Sequence, residues 1–226
     1  MNFDSSENLC EFISYKYHGE CLLGFSRGKD SIASFFQLKK YFKKITPVYF
    51  YALPDLQIEQ DSIKYFEDYF QTKIIQYPHP GTYKQINAYL YQLPINKSII
   101  DRIDLPNPTY EDFYEWTREE LNMPKDLPVA IGVRKNDSPI RRMAINRYGS
   151  YLPNKNKFYP VYDWNITKLR EEIKDVELPI DYKIFGKSLD GIDYRFIKPL
   201  KEYFPQDFEK VKEYFPLIEL ELLKYE

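Results

Sequence analysis

The stretch GFSRGKDSIA, residues 24–33, combines residue types that bind phosphate. It joins an apolar run, which is typical of a buried strand, to a segment whose apolar residues recur at helical spacing. A polar, glycine-containing turn from strand to helix leaves backbone N–H groups free at the positive end of the helix dipole. The alternative is an ordinary helix start that Asp30 or Ser31 caps. The sequence predicts an anion site here, with phosphate as its usual occupant.

The spacing of this stretch excludes a Walker loop. That loop requires four residues between its glycines, followed by Lys and then Ser or Thr. Here only three residues separate Gly24 from Gly28, and Asp30 follows Lys29. If the turn is a phosphate loop, it is therefore of another kind.

The string resembles the PP-loop of the adenine-nucleotide pyrophosphatases, whose usual form is Ser-Gly-Gly-x-Asp-Ser. The matching residues are Ser26, Gly28, Asp30 and Ser31, with Lys29 as the common lysine. Arg27 stands where the family has a second glycine, and its guanidinium is itself suited to bind a phosphate. The resemblance implies that the whole loop, Ser26 to Ser31, holds the phosphates of an adenine nucleotide.

A second stretch, IGVRKNDSPIRR at residues 131–142, brings three arginines to the same region. Gly132 and Arg134 end a predicted strand, and Arg141 and Arg142 lie on the first turns of the following predicted helix. Ligands of open α/β sheets bind at the carboxyl ends of the strands, where the first loop also emerges. Arginine spreads phosphate charge and neutralises a leaving group. The alternative is a surface cluster that pairs with Asp137 and nearby acids.

The order of these motifs resembles the phosphoadenylyl-sulfate (PAPS) reductase-like branch of the PP-loop superfamily. In that branch a Gly-x-Arg strand end precedes an acid-Ser pair and an Arg, and a Pro…Asp-Trp motif precedes a helix. The further matching residues are Asp137, Ser138, Arg141 or Arg142, Pro160, Asp163 and Trp164. The chain departs from true reductases because residues 165–226 contain no cysteine. The thiol that would attack sulfate is therefore missing.

The elements between the motifs predict an α/β fold: a Rossmann-like, open, mainly parallel five-stranded sheet flanked by helices, with a small C-terminal helical appendage. The predicted strands cover residues 20–25, 45–53, 72–78, 127–135 and 157–164. The predicted helices cover residues 5–18, 31–43, 58–71, 82–92, 109–121 and 138–148, a segment after Asn165, and 205–214 and 216–225 in the tail. We expect a nucleotide-binding domain over residues 1–178, with an N-terminal helix and an insertion at 79–108, and a helical tail over 179–226.

Composition limits the classes of protein and site. A net charge of −2 over 226 residues gives no overall sign of nucleic-acid binding. No apolar run approaches a membrane span, and the first ten residues lack a signal region, so we expect a cytoplasmic protein. The chain has two cysteines and two histidines. An iron–sulfur cluster within one chain is therefore excluded, and a zinc site is not expected.

These observations predict an enzyme that binds ATP and Mg²⁺, cleaves the bond between the α and β phosphates, and adenylates an acceptor while releasing pyrophosphate. Phosphoryl-type transfer depends on positioning and charge neutralisation, and the catalytic candidates are Lys29, Arg134, Arg141 and Arg142. Asp30 is the candidate metal ligand. The resemblance implies that adenine lies near Tyr51 to Leu53. Gly132 and Arg134 are further candidates for nucleotide binding.

Two other functions stay open: a PAPS-binding reductase or sulfotransferase, and a nucleotide-binding module without turnover. The acceptor is a small molecule or a nucleic-acid base, and a homodimer is one of the open alternatives for the assembly. No membrane partner is expected.

Overall fold

The computed structural model describes residues 3–185 and 192–223, which form two compact units. The first unit covers residues 3–49, 72–75 and 114–178. The second covers 50–71, 76–113 and the described residues from 179 onward. The domain boundary expected after residue 178 stays a prediction.

A six-stranded, mostly parallel sheet confirms the predicted α/β class. Its strands are β1 (Glu20–Gly24), β2 (Lys44–Tyr51), β3 (Ile75–Pro78), β4 (Val129–Ile131), β5 (Tyr151–Leu152) and β6 (Lys157–Phe158). Their order is β3-β2-β1-β4-β6-β5. β1 pairs in parallel with β2 and β4, and β4 pairs in parallel with β6.

The expected number of five strands was wrong because β5 was missed. It pairs antiparallel with β6 at the edge of the sheet, and the 3₁₀ turn Pro153–Lys155 joins the two strands. Each of these strands has only two residues, which is too short for an alternating pattern to show in the sequence. β4 and β6 are also shorter than the predicted strands, since the chain leaves the sheet after Ile131 and Phe158.

Helices accompany the sheet in the first unit and form most of the second unit. They are α1 (Ser6–Lys16), α2 (Lys29–Lys39), α3 (Gln57–Phe70), α4 (Pro80–Asn87), α5 (Lys97–Ile103), α6 (Tyr110–Glu120), α7 (Pro139–Tyr148), α8 (Ile166–Glu172), α9 (Ile180–Phe185), α10 (Tyr194–Tyr203), α11 (Pro205–Tyr214) and α12 (Leu220–Leu223). The predicted tail helix at 205–214 coincides with α11, and residues 224 and 225 of the last predicted helix lie outside the described residues. Within the described chain, no helix combines the length and the apolar character that crossing a bilayer requires.

The register of β1 fixes the position of the first loop. β1 is buried through its middle residues, as expected for a strand with a neighbour on each side. Its last residue, Gly24, pairs with Val48 of β2 and Ile131 of β4. The loop after β1 and the segment after β4 therefore leave the sheet at the same edge.

The second unit has its own apolar core. The buried residues of that core include Leu53, Leu56, Phe196, Leu200, Phe208, Val211 and Phe215. α10 presents an apolar face to this core, with Ile197 and Leu200 fully buried. Buried Asp207 in turn accepts a hydrogen bond from the amide of Ile58, at 2.9 Å.

Candidate functional site

The loop after β1 adopts a backbone conformation that favours glycine. Arg27 has a φ of 60°, in the left-handed region that residues with a side chain adopt at a steric cost. This is the position where the resembled motif has its second glycine. The arginine thus keeps the turn that glycine would otherwise make.

The Arg27 side chain lies inside the first unit and is only 1% exposed. Its guanidinium carbon lies 5.1 Å from the ring centroid of Tyr49, in the geometry of a cation–π contact. The aromatic ring explains how a buried guanidinium is accommodated here. Its contact with a phosphate stays a prediction.

Helix α2 begins without a side-chain cap. Its N-cap residue is Gly28, so neither Asp30 nor Ser31 caps the helix as the alternative interpretation required. Glycine has no side chain that could accept hydrogen bonds from the amides of the first turn. These amides form the positive end of the helix dipole. This is the local arrangement that binds anions.

The side chain of Ser31 instead connects the two ends of the loop by hydrogen bonds. Its hydroxyl accepts hydrogen bonds from the amide and the hydroxyl of Ser26, at 3.2 and 3.3 Å, and donates to the carbonyl of Gly28, at 2.9 Å. The two serines of the motif thereby tie both ends of the loop together.

Gly132 lets the segment after β4 touch the backbone of this loop. A Cβ atom at Gly132 would lie 2.8 Å from the carbonyl carbon and oxygen of Asp30, and 3.0 Å from the amide nitrogen of Ser31. Only glycine permits this approach without displacement of the backbone. Gly132 therefore acts on the loop by close packing, and its predicted contact with a nucleotide is untested.

Asp30 lies between two cations. One carboxylate oxygen pairs with Lys29 Nζ at 2.6 Å, and the other accepts from Arg134 Nε at 2.5 Å. Arg134, which is 4% exposed, also pairs with Asp137 at 2.6 Å. Asp137 in turn pairs with the half-exposed Arg141 at 2.7 Å. Three cations thus face two carboxylates in one chain of ion pairs.

The remaining residues of the second motif organise the start of α7. Ser138 is the N-cap residue, and its hydroxyl accepts from the amide of Arg141 at 3.2 Å. Exposed Arg142 donates to the side-chain oxygen of Asn136 at 3.3 Å. The sequence analysis missed Asn136, because an asparagine in a polar loop carries no pattern of its own.

Trp164 of the Asp-Trp motif forms a hydrogen bond with Arg134. The carbonyl of Trp164 accepts from Arg134 Nη1 and Asn136 Nδ2, at 3.5 and 3.4 Å. The buried indole donates to the hydroxyl of Ser6 at 3.0 Å. The motif therefore holds the arginine in place.

Tyr51 and Leu53, the residues expected near adenine, belong to the second unit. Tyr51 ends β2, and burial raises the pKa of its phenol. Leu53 is 2% exposed within the apolar core of that unit. Their contact with a base stays a prediction.

The donor set does not fit a protein-held Mg²⁺. Both oxygens of Asp30, the one predicted ligand, are occupied by Lys29 and Arg134. Among the described residues, no group of three His, Cys, Asp or Glu side chains converges. The two cysteines, Cys10 and Cys21, are buried, and burial raises the pKa of both thiols.

Comparison with known proteins gives distant similarities. The chain is similar to the PAPS reductase of Candida auris, with 12% identity, a TM-score of 0.47 and coverage of 80% of this chain and 83% of that one. It is also similar to the NH3-dependent NAD synthetase of Campylobacter jejuni, with 14% identity, a TM-score of 0.43 and coverage of 97% and 92%. A third similar structure is a predicted subunit of a tRNA methyltransferase from Methanocaldococcus jannaschii, with 16% identity, a TM-score of 0.33 and coverage of 75% and 89%.

The curated proteins include one distant relative in sequence. This is the tRNA modification GTPase MnmE of the Aster yellows witches'-broom phytoplasma, which is 28% identical over 145 residues. The match spans 63% of this chain but only 30% of the length of that relative. No family model matches the chain.

Proposed function

We propose that this chain is an enzyme that binds ATP at the loop of residues 26–31 and transfers its adenylyl group to an acceptor, releasing pyrophosphate. The observation that supports this function most is the start of α2, where no side chain caps the amides of Lys29 and Asp30 that follow Gly28. Those amides suit the leaving pyrophosphate, and the acceptor is a small molecule or a nucleic-acid base. The adenine nucleotide and this acceptor are the partners that we infer, and the cytoplasmic location stays a prediction.

In this proposal Lys29 and Arg134 neutralise charge that grows on the leaving group. Both lie against Asp30, which orients them before the substrate arrives. Preorganised cations stabilise the transition state without reorganisation during the reaction. Lys29 is the more accessible of the two, with its side chain 22% exposed against 5% for Arg134. Lys29 is therefore the residue that contacts phosphate. Arg134 positions the loop, and its positive charge adds to the electrostatic field at the leaving group.

No step of this proposal passes through a metal ion. The residues present do not fit a protein-held Mg²⁺, because both Asp30 oxygens already hold cations. The protein's own contribution is to bind the phosphates, orient them and neutralise their charge.

A second candidate function is binding of a sulfonucleotide such as PAPS. The exposed positions of Arg141 and Arg142 on the first turn of α7 favour it, since a further phosphate has access to both side chains. A reductase reaction is not favoured, because the two buried thiols are raised in pKa and poorly suited to attack.

The products of ATP turnover test the proposed function. Protein is incubated with ATP labelled at the α-phosphorus and a pool of small metabolites or RNA. The proposal predicts pyrophosphate and a labelled adenylyl product. Formation of ADP and phosphate would contradict it, whereas ATP binding without turnover in either pool would indicate the non-catalytic module.

Two lysines of the same helix provide a matched pair for binding. Lys29→Met removes the cation at the start of α2, and Lys39→Met removes an exposed cation at its end. Titration calorimetry with ATP and with PAPS should show about tenfold weaker binding for Lys29→Met, the loss of one charge-assisted contact. Lys39→Met should bind like the wild type. Tight PAPS binding without ATP binding would select the second candidate.

A further inference from the structure

Helix α7 presents apolar side chains to solvent. All ten of its residues are described, and Ile145 alone is buried among them. Ile140 and Met143 are 74% and 65% exposed, and Ala144 beside them is exposed as well. These three residues are three and four positions apart, so they form one apolar stripe along the helix. An apolar stripe that faces solvent indicates a surface that contacts another molecule.

The charge of α7 limits what can cover this apolar stripe. The helix has three arginines and no carboxylate. Exposed Arg147 lies one turn beyond Met143 and therefore continues the stripe. A second α7 packed against the first would bring the arginines of both helices together, and like charges disfavour such a contact. The complementary surface has both apolar and acidic side chains.

Helix α6 has such a surface within the same unit. Residues 114–120 of α6 belong to the first unit, as α7 does. Trp116 is 48% exposed, and the neighbouring Glu115 and Glu119 are also exposed. The one arginine of this helix, Arg118, is buried. The exposed face of α6 in this unit is therefore acidic around a large aromatic ring.

A nucleic acid fits α7 less well than a protein surface does. Phosphates would pair with Arg147 but would leave Ile140 and Met143 in water. Tyr148 offers one ring on which a base could stack, whereas the aliphatic side chains of the stripe offer none. A surface that combines an aromatic ring with carboxylates satisfies both the stripe and Arg147.

We propose that this chain associates with a second copy of itself, with α7 of one copy packed against α6 of the other. Trp116 covers Ile140 and Met143, and Arg147 pairs with a carboxylate beside the tryptophan. Tryptophan and arginine are the residues that most often dominate the binding energy of an interface. Two such contacts related by a two-fold axis close a dimer, because each copy supplies one α6 and one α7. This proposal does not rest on the proposed nucleotide function.

Sedimentation velocity of the full chain over a range of concentrations tests the association. The wild type should show a monomer–dimer equilibrium. Ile140→Asp should weaken the dimer at least about tenfold, because it places a carboxylate against the acidic face of α6. Ile95→Asp is the matched control: Ile95 is similarly exposed but lies in the second unit, and the change should have no effect.

Charge reversal tests the pairing of the two helices. Arg147→Glu, and separately the double variant Glu115→Lys with Glu119→Lys, should each weaken self-association at least about tenfold. An equimolar mixture of the two variants should associate about as tightly as the wild type, because each contact in the mixed dimer joins opposite charges. A variant that had merely lost its fold would not be rescued by mixing, and thermal unfolding checks each variant alone.

The tryptophans report the same interface by fluorescence. Trp164 is buried, so acrylamide quenching reports mainly on Trp116. Quenching should decrease as the concentration of the wild type rises, because the second copy covers Trp116. It should stay constant for Ile140→Asp.

The outcomes separate this proposal from its alternatives. A wild type that stays monomeric, a mixture of the charge-reversed variants that fails to associate, or equal losses for Ile140→Asp and Ile95→Asp would each overturn it. A monomeric protein that binds labelled single-stranded RNA in an anisotropy titration, and loses this binding in Arg147→Glu, would assign α7 to nucleic acid instead. Lys29→Met should weaken ATP binding and leave self-association unchanged, so the two proposals fail independently.

Discussion

Replacement of Arg134 by methionine should destabilise the protein by about 3 kcal/mol. Arg134 is the buried centre of the ion-pair chain, and it contacts both Asp30 and Asp137. Methionine fills similar space but leaves both carboxylates without their shared cation.

The size of the expected destabilisation follows from the burial of the ion pairs of Arg134 and from the cations that Asp30 and Asp137 keep in the variant. Removal of one member of a buried ion pair costs about 3–5 kcal/mol. The side chains of Asp30 and Asp137 are 21% and 12% exposed, so water screens them in part. Each also keeps a second cation, Lys29 and Arg141 respectively. The expected loss therefore lies at the lower end of the range.

Urea unfolding followed by circular dichroism measures this loss. Arg142→Met is the matched control: its exposed guanidinium donates only to Asn136 in the described contacts, and the change should stay within about 0.5 kcal/mol. The double variant Asp30→Asn with Arg134→Met should show a coupling of about 1–3 kcal/mol. If Arg134→Met unfolds at the same urea concentration as the control, the ion-pair chain does not stabilise the site and our account of Arg134 is refuted.

Three further predictions concern packing, pH and thiols. Gly132→Ala places a Cβ 2.8 Å from a backbone carbonyl of the loop, so the melting temperature and ATP affinity should both fall; unchanged values would refute the close approach. Burial favours protonation of Glu7, but the hydrogen bond and charge of Lys168, together with hydrogen bonds from the backbone of Glu7 and the side chain of Ser5, outweigh burial and lower the pKa from 4.5 to about 2. The stability from the lowered pKa is present above pH 4.5 and is lost as pH falls toward 2; Lys168→Met should reduce that part of the pH dependence in urea titrations, and an unchanged dependence would contradict the role of Lys168. Cys10 and Cys21 are buried, so a thiol reagent should label them only after unfolding, and fast labelling of the native protein would contradict their burial.

The loop and its class of fold were predictable because their signals are local. A glycine-containing polar turn between an apolar run and an amphipathic segment needs no distant partner to be recognised. The motif also identified the serines that close the loop, although their mutual hydrogen bonds appear only in the structure. The start of α2 at Lys29, two residues earlier than predicted, follows from Gly28 as the N-cap.

The contacts that position the site are long-range and could not be predicted in detail. Asp30 and Arg134 are 104 residues apart, and the sequence placed them only at a common edge of the sheet. The burial of Arg27 depends on Tyr49, which β2 supplies. For the second motif, Asp137 pairs with Arg134 and Arg141, as the alternative interpretation expected, and a role of the arginines in phosphate binding stays a prediction.

The central claim is that the amides at the start of α2, together with Lys29, bind phosphate. The most direct measurement is a titration of ¹⁵N-labelled protein with pyrophosphate, in which backbone amide shifts report the site of binding. We predict that the largest shifts fall on residues 28–31, and that Lys29→Met weakens the titration about tenfold while Lys39→Met leaves it unchanged. Shifts concentrated elsewhere in the chain, or equal affinities for the two variants, would contradict the claim.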